Sequence, residues 1–398
     1  MGKEGFFRKK MESLFAVCAP GLEPFTALEL SQLGLLGSHA HPQPEDILTE
    51  SRSYFEPGGI PFQGSRHEIY QANLYLRTSS RVLVRLGEFY ASVFPELRRK
   101  ASRLPWEKYL GRERTIALRV TCQRSRLYHE GAVAERISGA IADRLGNPPP
   151  LQKYHEDPGT DIPQLIVVRL VDNLCTISID SSGALLHRRG YRLAVAKAPL
   201  RETLASAMVM ASGWDTISPL LDPFCGSGTL PIEAVLWARR VPAGYARRFA
   251  FMDWPNFDSR LWDQLLADAG KAIVPAFPRI IASDRDAGAI QTAKANAERA
   301  GLADCIEFSC KAISAINPPS HPGWIVTNPP YGVRLSKTPD LRNLYAQLGK
   351  VLRTRCPGWH VTLLCDSIQL IRATGLEFDR GISMVNGGLK VRLVRSSI

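Results

Sequence analysis

The run Ile325-Val326-Thr327-Asn328-Pro329-Pro330-Tyr331-Gly332 places an amide and an aromatic ring on a stiff turn at the end of an apolar stretch. Pro329 and Pro330 have no N–H to give a sheet and fix φ, and Pro329 also pushes Asn328 toward extended backbone, so a strand must stop here. Open α/β sheets present their ligands at that C-terminal edge. An amide acceptor beside a ring suits an amino group attached to a planar ring. Taken alone, a Pro-rich turn with a capping Asn and a packed Tyr accounts for the same residues equally well.

A second stretch belongs to the same edge. Leu220-Leu221-Asp222-Pro223-Phe224-Cys225-Gly226-Ser227-Gly228-Thr229 reads as a short strand running into a Gly-rich turn, with a helix over 230–240. Such glycines let the backbone approach a ligand. Pro231 stands where a dinucleotide fingerprint needs its third glycine, and no Lys follows as in a Walker turn. NAD and ATP are therefore poor candidates, and a ligand without a pyrophosphate remains. The next strand, 279–284, ends on Asp284, a carboxylate placed to accept from both ribose hydroxyls. Gly228 and Asp284 lie much further apart than the roughly 20 residues of a dinucleotide unit. An insertion around 241–278, carrying Phe251-Met252-Asp253-Trp254 and Trp262, fills the gap. A helix over 287–300, a strand at 305–308, the Asn-Pro-Pro-Tyr strand, a helix over 340–352 and strands near 360–365 and 389–394 complete a sheet.

The 398 residues carry 45% hydrophobic and 22% charged side chains, enough for two or three packed domains. A net charge of +12 favours a polyanionic partner, and composition alone does not separate nucleic acid from an acidic membrane surface. No run of eighteen apolar residues is present, so a membrane-spanning helix is not expected. Met1-Gly2-Lys3-Glu4-Gly5-Phe6-Phe7 has no apolar core of a secretory signal, and Phe6 breaks a myristoylation start. The eight cysteines include no C-x-x-C pair, which argues against zinc and disulfides and for reduced thiols in a cytoplasmic protein. Cys225 invites a nucleophile reading, but a thiolate inside the Gly-rich turn does not face a substrate. Cys356 and Cys365 have apolar neighbours and read as structural, and Asp286 reads as a helix N-cap.

Upstream, residues 12–36 read as strand then helix, and 37–64 as a loop before a short strand near Ile60. Residues 67–86 read as a helix with Arg77, Arg81 and Arg85 on one basic, solvated face. A strand at 115–121, a helix over 130–145 and a hairpin of 165–171 with 175–180 turning at Asp172-Asn173 follow. Basic residues crowd this half (Arg98, Arg99, Lys100, Arg103, Arg112, Arg114, Arg124, Arg126) without a catalytic constellation, so it reads as a binding region. In the connector at 181–198, Arg188, Arg189 and Arg192 flank Tyr191, which fits either a grip on phosphates with a stacked base or a solvated linker. A helix is expected over 199–212, with Pro199 near its first turn.

Taken together, Asp222–Thr229, Asp284 and Asn328–Tyr331 occur in the order found in S-adenosylmethionine-dependent methyltransferases. Ser13-Leu14-Phe15-Ala16, Gly58-Gly59-Ile60-Pro61-Phe62, the Leu186–Arg192 connector and Ala198-Pro199-Leu200-Arg201-Glu202 extend the match. The chain so resembles the THUMP-domain RNA methyltransferases, especially the bacterial 23S ribosomal RNA guanine-N2 enzymes. The resemblance implies an α/β protein whose C-terminal Rossmann-like class I sheet (199–398) follows a ferredoxin-like region (1–64), a THUMP RNA-binding domain (65–182) and a linker (183–198). It corresponds to only the guanine-N2 half of those family members that carry a second, fused methyltransferase domain. It also implies S-adenosylmethionine held by Asp222, Pro223, Cys225, Gly226, Gly228, Thr229 and Asp284. Catalysis then falls to Asn328, Pro329 and Tyr331, and RNA binding to Arg188, Arg189, Arg192, Arg124 and Arg126. RNA, 23S ribosomal or transfer, is the expected partner, with no membrane and no metal. Such enzymes usually place an Asp after the third strand to receive the adenine amino group. Here that position is Ala312, so unless a main-chain carbonyl or a neighbour such as Ser309 substitutes, one lost hydrogen bond weakens cofactor binding by about 1–2 kcal/mol. Adenine-N6 methylation and a non-catalytic RNA-binding or assembly role are the competing readings.

Overall fold

The computed structural model describes residues 11–36, 55–56, 58–111, 113–156, 162–192, 200–332 and 338–398. The Met1–Phe7 segment, most of the 37–64 loop, Arg112 and the 193–199 part of the connector, with Ala198 and Pro199, lie outside the described residues.

The N-terminal half is built on one sheet. In chain order its elements are β1 (Glu12–Cys18), α1 (Glu23–Gln32), β2 (Gly59–Gly64), α2 (Arg66–Tyr75), β3 (Ser79–Tyr90), α3 (Phe94–Ala101), β4 (Ile116–Gln123), α4 (Glu130–Leu145), β5 (Leu151–Gln152), β6 (Gln164–Val171) and β7 (Leu174–Asp180). The strands lie in the order β2-β1-β3-β7-β6-β4-β5. Because β3 pairs with β1 at one end and β7 at the other, the sheet runs without a break from the first strand to the last. Asp172 and Asn173 take φ of 51° and 64°, the mirror-image turn that joins β6 to β7 as the sequence leads one to expect.

One expectation fails here. Residues 67–86 are not one helix: α2 opens on a capping box of Ser65 and Glu68, stops at Tyr75, and the chain re-enters the sheet as β3. The three arginines consequently do not line a solvated helix face. Arg81 is buried in an ion pair with Asp180 and donates to the Gly183 carbonyl at 2.6 Å. Arg85 pairs with Glu56 and lies over the Phe15 ring. Arg77, also buried, donates to the carbonyls of Leu236 and Val241 in the C-terminal half.

That half contains α5 (Glu202–Ala211), β8 (Leu220–Asp222), α6 (Thr229–Ala238), α7 (Ser259–Lys271), β9 (Ile280–Asp284), α8 (Ala287–Arg299), β10 (Ile306–Cys310), β11 (Trp324–Thr327), α9 (Thr338–Arg355), β12 (His360–Cys365), α10 (Ile368–Ala373), β13 (Ile382–Asn386) and β14 (Leu389–Ser397). Its sheet order is β10-β9-β8-β11-β12-β14-β13, with β10 through β12 parallel and the last pairings antiparallel. The chain winds outward from β8 in one direction and from β11 in the other. The crevice between those two strands is therefore the switch point of a doubly wound sheet.

The insertion at 241–278 is the mortar between the halves. Phe249, Phe251, Trp254 and Trp262 are buried in the N-terminal core, not the C-terminal one. Tyr70 stacks on Phe251 with centroids 4.3 Å apart, and the Trp254 indole donates to Gln164 Oε1 at 2.9 Å. In return Cys18, Leu22, Phe25 and Leu28 pack into the core around α5 and α6. Apolar side chains are exchanged in both directions, so neither half buries its own core alone.

Candidate functional site

At the switch point, two strand ends are tied together. Thr327, the last residue of β11, donates from Oγ1 to Asp222 Oδ1 at 2.7 Å, and Phe224 N–H reaches the same oxygen at 3.1 Å. Asp222 is 2% exposed, and burial, with Asp284 nearby, pushes its carboxyl up to about 7. It braces the turn from below; the sequence pattern that marks it as a ligand contact does not reveal this internal work.

Beyond Asp222 the Gly-rich turn takes two left-handed residues, Gly226 at φ 51° and Gly228 at φ 81°. They differ in what a side chain would meet. A Cβ on Gly226 would enter open space, whereas one on Gly228 would come within 2.9 Å of the Ala293 methyl on α8. Gly226 thus leaves its backbone open, and Gly228 lets two helices close. Asp284 holds the turn from the neighbouring strand: its Oδ2 accepts Gly226 N–H at 3.0 Å and its Oδ1 accepts Asp286 N–H at 3.0 Å. Each oxygen keeps a further lone pair for a hydroxyl. Asp286 caps α8, accepting from Gly288 and Ala289, as its position suggests.

Asn296, which sequence reasoning missed, and Arg192, which it assigned to RNA, both support this turn. Asn296, fully buried on α8, donates to the Ser227 carbonyl at 2.9 Å. Arg192 bonds Thr229 Oγ1 and the Leu200 carbonyl and lies 3.4 Å from Glu202. Thr229 is accordingly 4% exposed, with its hydroxyl occupied. No motif spacing announces such contacts, since each partner lies on a different element. Burial also pushes the Cys225 thiol far up, which removes any nucleophile reading. Pro223 is buried behind the same turn.

Across the crevice, Asn328 Oδ1 is a buried acceptor with no hydrogen-bond partner among the described residues. Such orphans are uncommon in folded proteins and ask for an explanation. Pro329 is buried beside it, and the Pro330 carbonyl accepts from Tyr345 Oη at 3.3 Å. The Tyr331 hydroxyl accepts from Asn386 Nδ2 at 2.8 Å, at the tip of the β13–β14 hairpin. Burial pushes that phenol up to about 12. The amide and ring are therefore mounted on a turn held from two sides.

The connector does not behave as the sequence suggests. Arg189 is 4% exposed, donates to the carbonyls of Leu186 and Arg77 at 2.6 Å each, and lies 3.5 Å from Glu233. Tyr191 is buried with its hydroxyl on Glu233 at 3.0 Å, and Arg192 is held as described above. Neither arginine nor the tyrosine is presented to a phosphate or a base. A segment rich in cations here neutralises buried Glu233 and Glu202 and links the halves. Arg188 is half-buried. Arg124 and Arg126 are exposed at the far end of the N-terminal sheet, where Arg124 forms a two-point pair with Asp172 at 2.9 Å and Arg126 N–H bonds Asn173. Among the described residues no group of His, Cys, Asp or Glu could hold a metal, and no helix is long and apolar enough to cross a membrane.

A doubly wound sheet with a Gly-rich turn after its first strand, an acid ending the second and Asn-Pro-Pro-Tyr ending the fourth defines an S-adenosylmethionine-dependent methyltransferase. Comparison with known proteins agrees. The chain belongs to the family of RMKL-like methyltransferase domains, matched over residues 189–395, preceded by an RlmL ferredoxin-like domain at 13–83 and a THUMP domain at 91–180. A putative RNA methyltransferase of Synechocystis sp. is 34% identical across 96% of this chain and 95% of its own length. The ribosomal RNA large subunit methyltransferase K/L of Syntrophotalea carbinolica is also 34% identical over 96% of the chain, which spans only 53% of that longer protein. The crystal structure of SMU.472, a putative methyltransferase complexed with SAH, superposes with a TM-score of 0.84 at 27% identity, covering 98% of each chain.

The residues present fit the cofactor. Gly226 faces open space at the switch point, and Asp284 carries acceptor lone pairs at the end of β9. Ala312, exposed just after β10, offers no side-chain acceptor for an adenine amino group.

Proposed function

We propose that this enzyme methylates the exocyclic N2 amino group of a guanine in RNA, with 23S ribosomal RNA as substrate. The observation that carries the reading is the orphaned, buried Oδ1 of Asn328 beside the switch point. When bound, S-adenosylmethionine supplies an electrophilic methyl group on a sulfonium. An aromatic amine is a poor nucleophile because its lone pair is delocalised into the ring. Asn328 Oδ1 and the Pro329 carbonyl would accept its two hydrogens and draw the nitrogen toward a tetrahedral shape, which localises that pair. Tyr331, its hydroxyl fixed by Asn386, would stack on a base taken out of its helix. As the N–C bond forms the sulfonium S–C bond breaks; an amide is no base at neutral pH, so the extra proton leaves the nitrogen to solvent after transfer. The chain contributes position, which can supply about 7–11 kcal/mol.

Support for RNA comes from the THUMP domain, the net charge of +12 and the names of the relatives. Exposed Arg124 and Arg126 belong to the proposed RNA surface; Arg189 and Arg192 leave it. The test is transfer of labelled methyl to bacterial 23S rRNA and to transfer RNA, followed by nucleoside analysis. N2-methylguanosine in the 23S arm is expected. N6-methyladenosine, or label confined to transfer RNA, would refute the assignment.

A further inference from the structure

Strand β12 leaves the sheet beside β11, in parallel register with Thr327 opposite Leu363, so Asp366 emerges at the same edge as Asn328–Gly332. Its carboxylate lies close to that turn: a Cβ on Gly332 would sit 3.6 Å from Asp366 Oδ2. Asp366 also lines a cleft of about 340 Å³ with Cys365, Ile368, Gln369, Ile371 and Arg392. Asp366 and Arg392 are both exposed, and neither has an ion-pair partner among the described residues. Ile368 at 43% and Leu389 at 46% exposure supply an apolar rim, and Leu389 also approaches Gly332.

A carboxylate at this edge with no partner among the described residues is unfavourable toward a phosphate chain, because like charges repel. It becomes favourable only if a donor of the base itself reaches it. We propose that this cleft is a guanine-reading subsite, in which Asp366 accepts the ring N1–H while Arg392 and Gln369 donate to O6. The inference rests on the guanine reading above and deepens it. Guanine carries the donor N1–H directly beside its N2 amino group, and O6 comes next along the same edge. Adenine, its amino group held by Asn328, would turn the acceptor N1 toward the carboxylate and has no oxygen for Arg392. A site built to pair a substrate donor rejects an analogue that lacks it, because its own polar group is left facing an acceptor. Asn-Pro-Pro-Tyr grips any planar amine; the selectivity between purines is assigned to Asp366.

The test uses the full chain saturated with S-adenosylhomocysteine and measures binding of guanosine, adenosine and 1-methylguanosine 5′-monophosphates by saturation-transfer NMR. The expected result is at least fivefold preference for the guanosine monophosphate over both others, as an order of magnitude for one charge-assisted hydrogen bond. Asp366→Ala should abolish the preference and Arg392→Ala should reduce it, each with unchanged melting temperature and S-adenosylhomocysteine affinity. Equal or undetectable signals for the three nucleotides with the unaltered protein, or a preference that survives Asp366→Ala, would overturn the subsite. The product assay separates this failure from that of the parent reading. N2-methylguanosine with no Asp366 effect removes only the subsite, while N6-methyladenosine removes both.

Discussion

Asp222 and Asn328 both sit at the ends of adjacent strands, and their environments divide their work. Asp222 is a buried carboxylate whose Oδ1 already serves Thr327 and Phe224, whereas Asn328 Oδ1 has no hydrogen-bond partner among the described residues. Because burial raises the Asp222 pKa to about 7, the folded state holds its proton more tightly than the unfolded chain. The unfolded value lies near about 4. Stability then falls as pH rises from about 4 to 7 and is level above, since unfolding releases the proton in that window. Asp222→Asn keeps the oxygen that Thr327 and Phe224 use and removes this titration. Thermal melts from pH 4 to 8 should show a shallower decline for the variant, with the other buried acids that burial pushes up, Glu202 (to about 7), Glu29 and Asp180, contributing to the remaining slope. An unaltered slope would mean that Asp222 is hydrated in the folded protein.

The elements around the site succeed through what holds them rather than through their own propensities. The Gly-rich turn depends on α8 coming close enough that Gly228 touches Ala293, and on Arg192 fixing the first residue of α6. Gly228→Ala adds a methyl at a left-handed position and against Ala293, so it should cost about 1–3 kcal/mol and weaken cofactor binding. Gly226→Ala shares the backbone strain but meets no protein atom, so its larger loss should be in cofactor affinity. Calorimetric titration of both variants with S-adenosylmethionine, beside their urea denaturation, separates the two effects. Comparable stability losses would contradict the assignment of Gly228 to helix packing. This contrast also marks how far the sequence was legible. Prolines and glycines constrain backbone directly, so the turns at 222–229 and 328–332 were readable with their strands. Arg77, Arg81 and Arg85 were not: a spacing of four keeps Arg81 and Arg85 on one face of a strand as well as of a helix, and Arg77 falls in the connection between α2 and β3. Their partners, among them Asp180 and Glu56, are remote in sequence. Arg189 and Arg192 misled for the same reason: cations that answer buried acids look like a phosphate grip until the acids are located.

At the scale of the whole molecule, the insertion at 241–278 turns two sheets into one folding unit. Phe251 lies in the N-terminal core against Tyr70 and Phe249, and Arg77 reaches back to the C-terminal end of α6. Phe251→Ala should destabilise the protein by about 3–5 kcal/mol, as expected for a buried aromatic, and lower the unfolding transition of both halves together. Two separated transitions in urea would show that the halves fold independently. A basic N-terminal half that shares its cores with the C-terminal one is suited to bring a polyanion to the site proposed above. RNA affinity should then drop steeply between low and physiological salt, with Arg126→Ala reducing the slope; a flat salt response would place the RNA grip elsewhere.

The central claim is that an otherwise idle amide oxygen acts on the substrate's amino group rather than on the cofactor or the fold. Its most direct test is Asn328→Ala, with single-turnover methylation of 23S rRNA and S-adenosylmethionine affinity measured on the same preparation. Cofactor affinity and melting temperature should be unchanged while the rate falls by at least roughly tenfold, the scale of one aimed hydrogen bond lost. Turnover equal to that of the unaltered enzyme, or a loss explained wholly by weaker cofactor binding, would contradict it.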